Sequence, residues 1–260
     1  MKKRIVAVLV TCLATSFAAS PGNAMEKLVV MMSGGFSLAY RQVLPEFERS
    51  TGIAVTTLSG ASQGTGPKTI KSQLEQGAEV DMVILSKEGL GELIAAGRIA
   101  EGSTVDLASV PVGAAVRQGA PKPDVASVDA LKQTLLSAHL VAMGASTSGI
   151  FMKDVVLPKL GIADKVSLKM VQRGTDSTAM LAAGEADLVI GPVSELIGQP
   201  GVELAGVLPD AVQLIQPFAA AVIKTAHNPD QAKKLIAFLA SGQTTAAIKN
   251  SGMQPLGGRK

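Results

Sequence analysis

The sequence predicts an α/β fold built as two similar lobes. Three observations carry this. Short, almost wholly apolar strand candidates alternate with segments of helical spacing, as βαβ units around a parallel sheet do. These strands lack polar alternation, so both of their faces are to be covered. One plan also occurs twice. Leu74-Glu75-Gln76-Gly77-Ala78-Glu79-Val80-Asp81-Met82-Val83-Ile84 matches Leu181-Ala182-Ala183-Gly184-Glu185-Ala186-Asp187-Leu188-Val189-Ile190, and Leu28–Phe36 matches Leu140–Ser146. A repeat of this size implies two related lobes. The alternative is two unrelated βαβ units in one sheet.

The elements follow in order. Met1–Arg4 is a basic start, Ile5–Ala19 an apolar run, and Gly22-Asn23-Ala24 a small-residue cleavage site. This reads as an export signal over 1–24 and places the mature protein in the periplasm. Leu28–Met32 is a buried strand feeding Ser33-Gly34-Gly35, and Leu38–Glu48 a helix stopped at Thr51-Gly52. Ile53–Leu58 is a strand, Lys68–Gln76 a helix, Val80–Leu85 a strand and Gly89–Ala96 a helix. In the second half Leu140–Met143 is a strand and Ile150–Leu160 a helix. Val110–Val116 and Ala211–Ile223 are the two segments able to link the lobes. Asn228 is placed as an N-cap with Pro229 as first residue of the next helix, and Thr244–Lys249 as a last one. The division is thus 25–109 for the first part of lobe I, 110–214 for lobe II, and 215–260 for the return to lobe I.

Composition excludes several chemistries. The chain has 260 residues, 47% hydrophobic and 17% charged, too apolar for a disordered chain. Lys2, Lys3 and Arg4 account for the net charge of +3, so the mature chain is neutral and shows no basic nucleic-acid footprint. The one cysteine, Cys12, lies within the signal. The mature chain therefore has no disulfide, thiol nucleophile or thiolate metal site. His139 and His227 stand apart without acidic partners at ligand spacing, which argues against zinc and against a Ser-His-Asp triad. No metal and no cofactor are expected. The Gly-rich run Ser59–Lys68 lacks the Gly-Lys-Ser/Thr junction of a nucleotide loop. Trp is absent and aromatics are 3%, a poor basis for a sugar platform.

What recurs is a small-residue loop between strand and helix. Backbone N–H groups at a helix start, with nearby hydroxyls, form a neutral anion cradle. The candidate ligand residues are Ser33, Gly34 and Gly35 in the first loop, and Ser62, Gly64, Thr65 and Lys68 in the second. Ser146, Ser148 and Gly149 come from the third, and Arg173 stands ahead of a helix near Thr178. Each has a plainer reading as an ordinary cap or turn residue.

The segments Leu28-Val29-Val30, Phe47-Glu48, Thr51-Gly52-Ile53-Ala54-Val55, Gly77–Ile84 and Gly184-Glu185-Ala186-Asp187 resemble the periplasmic molybdate-binding-protein family over essentially the whole mature chain. The resemblance implies a type II periplasmic-binding-protein fold with two crossovers and a cleft between lobes. It also implies a monomer that holds a small anion and delivers it to the membrane subunits of an ABC importer. The chain departs from that pattern. Gly35 stands where the family has a ligand serine, the loop Ser59–Pro67 is longer, and Gly191-Pro192 replaces a tyrosine. The longer loop and extra cations suggest a di- or tricarboxylate rather than a molybdate-like oxyanion. Ala115–Asp124 with Ser148-Gly149-Ile150-Phe151 is similar to a subgroup that includes a periplasmic aconitate isomerase. Two functions stay open: solute binding for import, and isomerisation of aconitate. An isomerase needs one positioned acid/base group, for which Glu195 and Asp176 are the candidates.

Overall fold

The computed structural model describes residues 27–257. The export segment expected over 1–24 lies outside the described residues. The chain runs β1 (Leu28–Met32), α1 (Ser37–Thr51), β2 (Val55–Ser59), α2 (Ile70–Glu75), β3 (Met82–Ser86), α3 (Lys87–Ala95) and the long β4 (Val105–Arg117). It continues through α4 (Val128–Ser137), β5 (Val141–Gly144) and α5 (Thr147–Phe151), then a π turn (Met152–Val156) leading into α6 (Leu157–Lys159). β6 (Leu168–Val171), α7 (Gly174–Ala183), β7 (Leu188–Pro192), α8 (Val193–Leu196), β8 (Val202–Val207) and β9 (Ile215–Val222) follow. α9 (Pro229–Leu239), α10 (Thr245–Asn250) and β10 (Gln254–Pro255) end the chain.

The strand order β2-β1-β3-β9-β4-β7-β5-β6 is close to a palindrome. In the first half β1 pairs parallel with β2 and β3, and β9 closes antiparallel on β3. In the second, β5 pairs parallel with β6 and β7, and β4 closes antiparallel on β7. The sequence repeat is therefore a structural repeat. β4 and β9 join the halves by pairing with each other, Val105–Pro111 against Ala220–Ile215. Beyond that, β4 turns to β7 and β8.

Both halves have their own apolar interior. Leu28, Val30, Phe36, Tyr40, Phe47, Ile84 and Phe218 fill the first beneath α1 and α9. Val112, Leu131, Leu135, Val141, Met143, Val156 and Ile190 fill the second. The Phe47 and Phe238 rings meet at 5.5 Å between centroids, tying α1 to α9. Such a pair contributes about 1 kcal/mol beyond the area it buries.

The repeated acidic residue has a structural task. Asp81, 2% exposed, accepts the Val29 N–H at 2.8 Å and the Asn228 N–H at 2.8 Å. Asp187 does the same in the second half, accepting the His139 and Leu140 N–H groups at 2.7 and 3.1 Å. Each carboxylate satisfies backbone donors where the first strand of its half begins. Asn228 starts α9 without a side-chain cap bond; its amide instead reaches Asp81. Asp81→Ala would strand two donors. Unfolding in urea should then show a loss of roughly 3 kcal/mol. A midpoint equal to wild type would mean that these bonds add nothing.

α4, β6, α8, β8 and β10 have no counterpart among the elements expected from the sequence. β8 is a half-exposed edge strand, Val-Glu-Leu-Ala-Gly-Val, without the continuous apolar run that marks the inner strands. α7 begins at Gly174, earlier than the helix expected near Thr178, so Arg173 is its N-cap residue.

Candidate functional site

A cleft opens where the loops after β1, β2, β5 and β6 face one another across the β4–β9 junction. Its lining includes Ser33, Gly34, Ser62, Ser146, Ser148, Arg173, Gly174, Glu195 and Gln216. This is the carboxyl end of both parallel sheets, where open α/β folds place their ligands.

Glu195 is the central feature. It sits in α8, directly after β7. Its neighbour Ser194 donates from Oγ to the Gly35 carbonyl at 2.6 Å, pinning α8 to the loop after β1. The Glu195 carboxyl lies between two glycine backbones. A Cβ on Gly34 would stand 2.6 Å from Oε1, and a Cβ on Gly174 would strike Oε2. Gly34 follows β1 and Gly174 opens α7, so both halves confine this one group. Neither position accepts a side chain without displacing the carboxyl. Lost hydration pushes the Glu195 pKa up to about 7. The residue keeps part of its surface in the cleft, so a ligand can reach it.

Asp176 is placed differently. Arg173 engages it through Nη2 at 2.8 Å and Nε at 3.4 Å. Arg173 lines the cleft and brings its cation there already paired, leaving its other N–H donors to a ligand. The guanidinium beside Asp176 is held even more firmly protonated than usual.

Donors line the same cleft. α5 and α7 both start at the cleft, and neither has a side chain capping its first amides. Those N–H groups have no partner within their helices. Ser33 is 4% exposed, and its Oγ has no hydrogen-bond partner. Ser148 also borders the cleft.

The remaining sequence candidates fall elsewhere or have other work. Ser62 Oγ accepts the Ser86 N–H at 3.0 Å, and Ser146 Oγ accepts the Gln63 N–H at 3.2 Å. Gly35 carries the Phe218 ring against its backbone, and Gly149 packs on the Gly144 carbonyl. Neither of these glycines lines the cleft. Gly64, Thr65 and Lys68 line a separate depression with Lys153 and Gln172, outside the cleft. The reason is the path of the loop after β2, which crosses to the other half and lays Gly64 on the Ala145 carbonyl.

That crossing closes the cleft. Gln63 and Ser86 of the first half meet Ser146 and Thr147 of the second. Thr147 Oγ1 lies 2.9 Å from Gln63 Oε1 and 2.8 Å from Ser86 Oγ. Gln63 Nε2 is in turn fixed by Glu92 at 2.8 Å. Thr147 and Gln216 line the cleft and Gln63 holds Thr147 across it, and sequence reasoning singled out none of the three. Gln216 carried a weak signal, a polar residue inside the apolar run Ala211–Ile223.

Known proteins share this fold. Residues 28–254 match the family model described as bacterial extracellular solute-binding protein. An aconitate isomerase from a Pseudomonas species is 34% identical over 230 residues, covering 88% of either chain. The periplasmic molybdate-binding protein of Azotobacter vinelandii superposes with a TM-score of 0.68 at 18% identity, over 87% of this chain and 98% of that one. The sulfate-binding protein SubI of Mycobacterium tuberculosis gives 0.66 at 18%, over 88% and 86%. These structures share the two-lobed fold around a cleft. No helix among the described residues is long and apolar enough to cross a membrane. With the family model spanning both lobes and a relative matching along most of its length, this chain belongs to the bacterial extracellular solute-binding protein family.

Proposed function

We propose that this chain is a periplasmic aconitate isomerase, exported by its first 24 residues, that uses Glu195 as its acid/base group. The observation that carries this is the Glu195 carboxyl, confined between Gly34 and Gly174 in a cleft lined by small polar residues and paired with no cation among the described residues. For mere capture of a polyanion such a group is a hindrance, since its ionised form repels the ligand. For a proton shift it is the required part. The 34% identical isomerase supports the substrate.

In the proposed reaction the ionised Glu195 removes a proton from the methylene carbon of trans-aconitate. The freed electron pair forms a new double bond to the central carbon. The former double bond opens, and its outer carbon takes the proton back from Glu195. The formula is unchanged, and the double bond now carries the cis arrangement. Negative charge that builds on the conjugated carboxylate faces the first-turn amides of α5 and α7, with Arg173 beside them. Asp176 is the weaker candidate because Arg173 already occupies it.

Proton NMR of trans-aconitate with a catalytic amount of protein tests this. Growth of cis-aconitate signals is the expected result. Line broadening without conversion would instead favour the second reading, a carboxylate-binding protein serving an ABC importer. That reading draws on the neutral cradle and the closing lobes, which suffice for capture. Unchanged lines would return a molybdate-like oxyanion to the front. For the isomerase, kcat/KM should rise with pH to a plateau with its midpoint near pH 7, because the base must be ionised. A flat profile between pH 5 and 9 would remove Glu195 from this role.

A further inference from the structure

Two glutamines stand three residues apart on the second crossover, and they behave in opposite ways. Gln213 uses its whole amide. Its Oε1 accepts the Val112 and Leu214 N–H groups at 2.7 and 2.9 Å, and Nε2 donates to the Val112 and Leu208 carbonyls at 3.1 and 2.9 Å. It clamps the crossovers together. Gln216 is 3% exposed, and its Oε1 is sealed from solvent with no hydrogen-bond partner. Buried polar groups in folded proteins are nearly always paired, so an orphan needs a reason. A partner that arrives with a ligand is such a reason.

Its position supports this. Gln216 pairs with Val110, one register step from the last β9 partner before β4 turns to β7 and β8. It therefore lies where the sheet passes from one lobe to the other. Strand alternation puts Gln216 and Phe218 on the same face. Phe218 packs on Gly35, and both side chains line the cleft with Ser33, Gly34 and Glu195.

We propose that Gln216 is a specificity-determining residue whose amide holds one carboxyl group of a bound polycarboxylate at the hinge, on the side of the cleft that carries Glu195. This rests on the reading of the cleft as a carboxylate site. Turned about its last side-chain bond, the amide offers N–H to a carboxylate oxygen; unturned, it offers its carbonyl to a protonated carboxyl. It does so without charge. A lysine or arginine here would favour the ionised form of Glu195 and make it a weaker base.

Gln216→Met and Gln216→Glu test the assignment. Methionine keeps the volume and removes the orphan atom. The unliganded Gln216→Met protein should melt about 2–4 °C above wild type, because an unpaired buried group has been removed. With trans-aconitate its KM should rise about tenfold or more, while kcat changes less. Gln216→Glu should raise KM further, since it sets like charge against the ligand. A lower melting point for Gln216→Met would mean a packing role and overturn the assignment, as would an unchanged KM. Absence of turnover in wild type overturns the isomerase reading and not this one. The second arm then passes to the thermal shift produced by tricarballylate, a saturated tricarboxylate. A shift present in wild type and lost in Gln216→Met supports the assignment. A shift kept in the variant, or none in wild type, overturns it.

Discussion

Glu195→Gln should abolish conversion of trans- to cis-aconitate, with kcat reduced at least ~1000-fold, while the ligand still binds. The amide keeps the shape of the carboxyl between Gly34 and Gly174 and cannot take a proton. Binding should tighten or hold, since a source of repulsion has gone. Stability gives an independent check. Folding raises the Glu195 pKa from its ordinary value to about 7, so the folded state holds this proton more tightly than the unfolded chain. The group costs nothing below the ordinary carboxylate range. Its cost grows as pH rises, and levels off above about 7 at no more than about 3 kcal/mol. Glu195→Gln should therefore match wild type in urea at pH 4 and exceed it at pH 8. Full turnover in this variant would send the search for a base back to Asp176. Equal urea midpoints at pH 8 would mean that the carboxyl is better hydrated than its confinement implies.

Much of the fold, and the region of the cleft, is legible in the sequence. The repeated Gly-Ala-Glu-Val-Asp81 and Gly-Glu-Ala-Asp187 segments signalled two equivalent halves, and each aspartate does tie a strand start in its own half. Small-residue loops after apolar strands pointed to the cleft, because short side chains there leave open space. Glu195 is legible as an acidic residue just past the apolar run Leu188–Ile190. Three things were out of reach. The orphan state of Gln216 depends on what its neighbours leave unpaired, and Gln213 shows that the same residue in the same run can be fully satisfied. The placement of Gly64, Thr65 and Lys68 depends on a loop crossing to the other lobe, which no local pattern encodes. The confinement of Glu195 comes from two glycines 140 positions apart in sequence, Gly34 and Gly174.

Gly64→Val should disable the site from outside it. Gly64 has φ +112°, and a Cβ there would run into the Ala145 carbonyl of the opposite half. Ala145 has no room to retreat, because its N–H is bonded to the Val171 carbonyl of β6 at 2.6 Å. The loop carrying Gly64 is held too, by a backbone bridge between Ala61 and Thr69. The strain is relieved by moving the lobes apart, and that breaks the contacts of Gln63 with Ser146 and Thr147. Opening separates Gly34 from Gly174 and lets water reach Glu195, which lowers its pKa and loosens its aim. A displacement of about 1 Å at a reacting centre is enough for a roughly 100-fold loss, and kcat/KM should fall by at least that much. Far-UV circular dichroism should stay close to wild type, since each lobe keeps its own core. Small-angle scattering should report a larger radius of gyration. Thr147→Val, which removes the latch hydroxyl without a wedge, should give the same effects in milder form. Wild-type scattering and turnover in Gly64→Val would show that closure does not depend on this contact. Unchanged turnover with an expanded particle would be the more telling result, because Glu195 would then be working without confinement by both lobes.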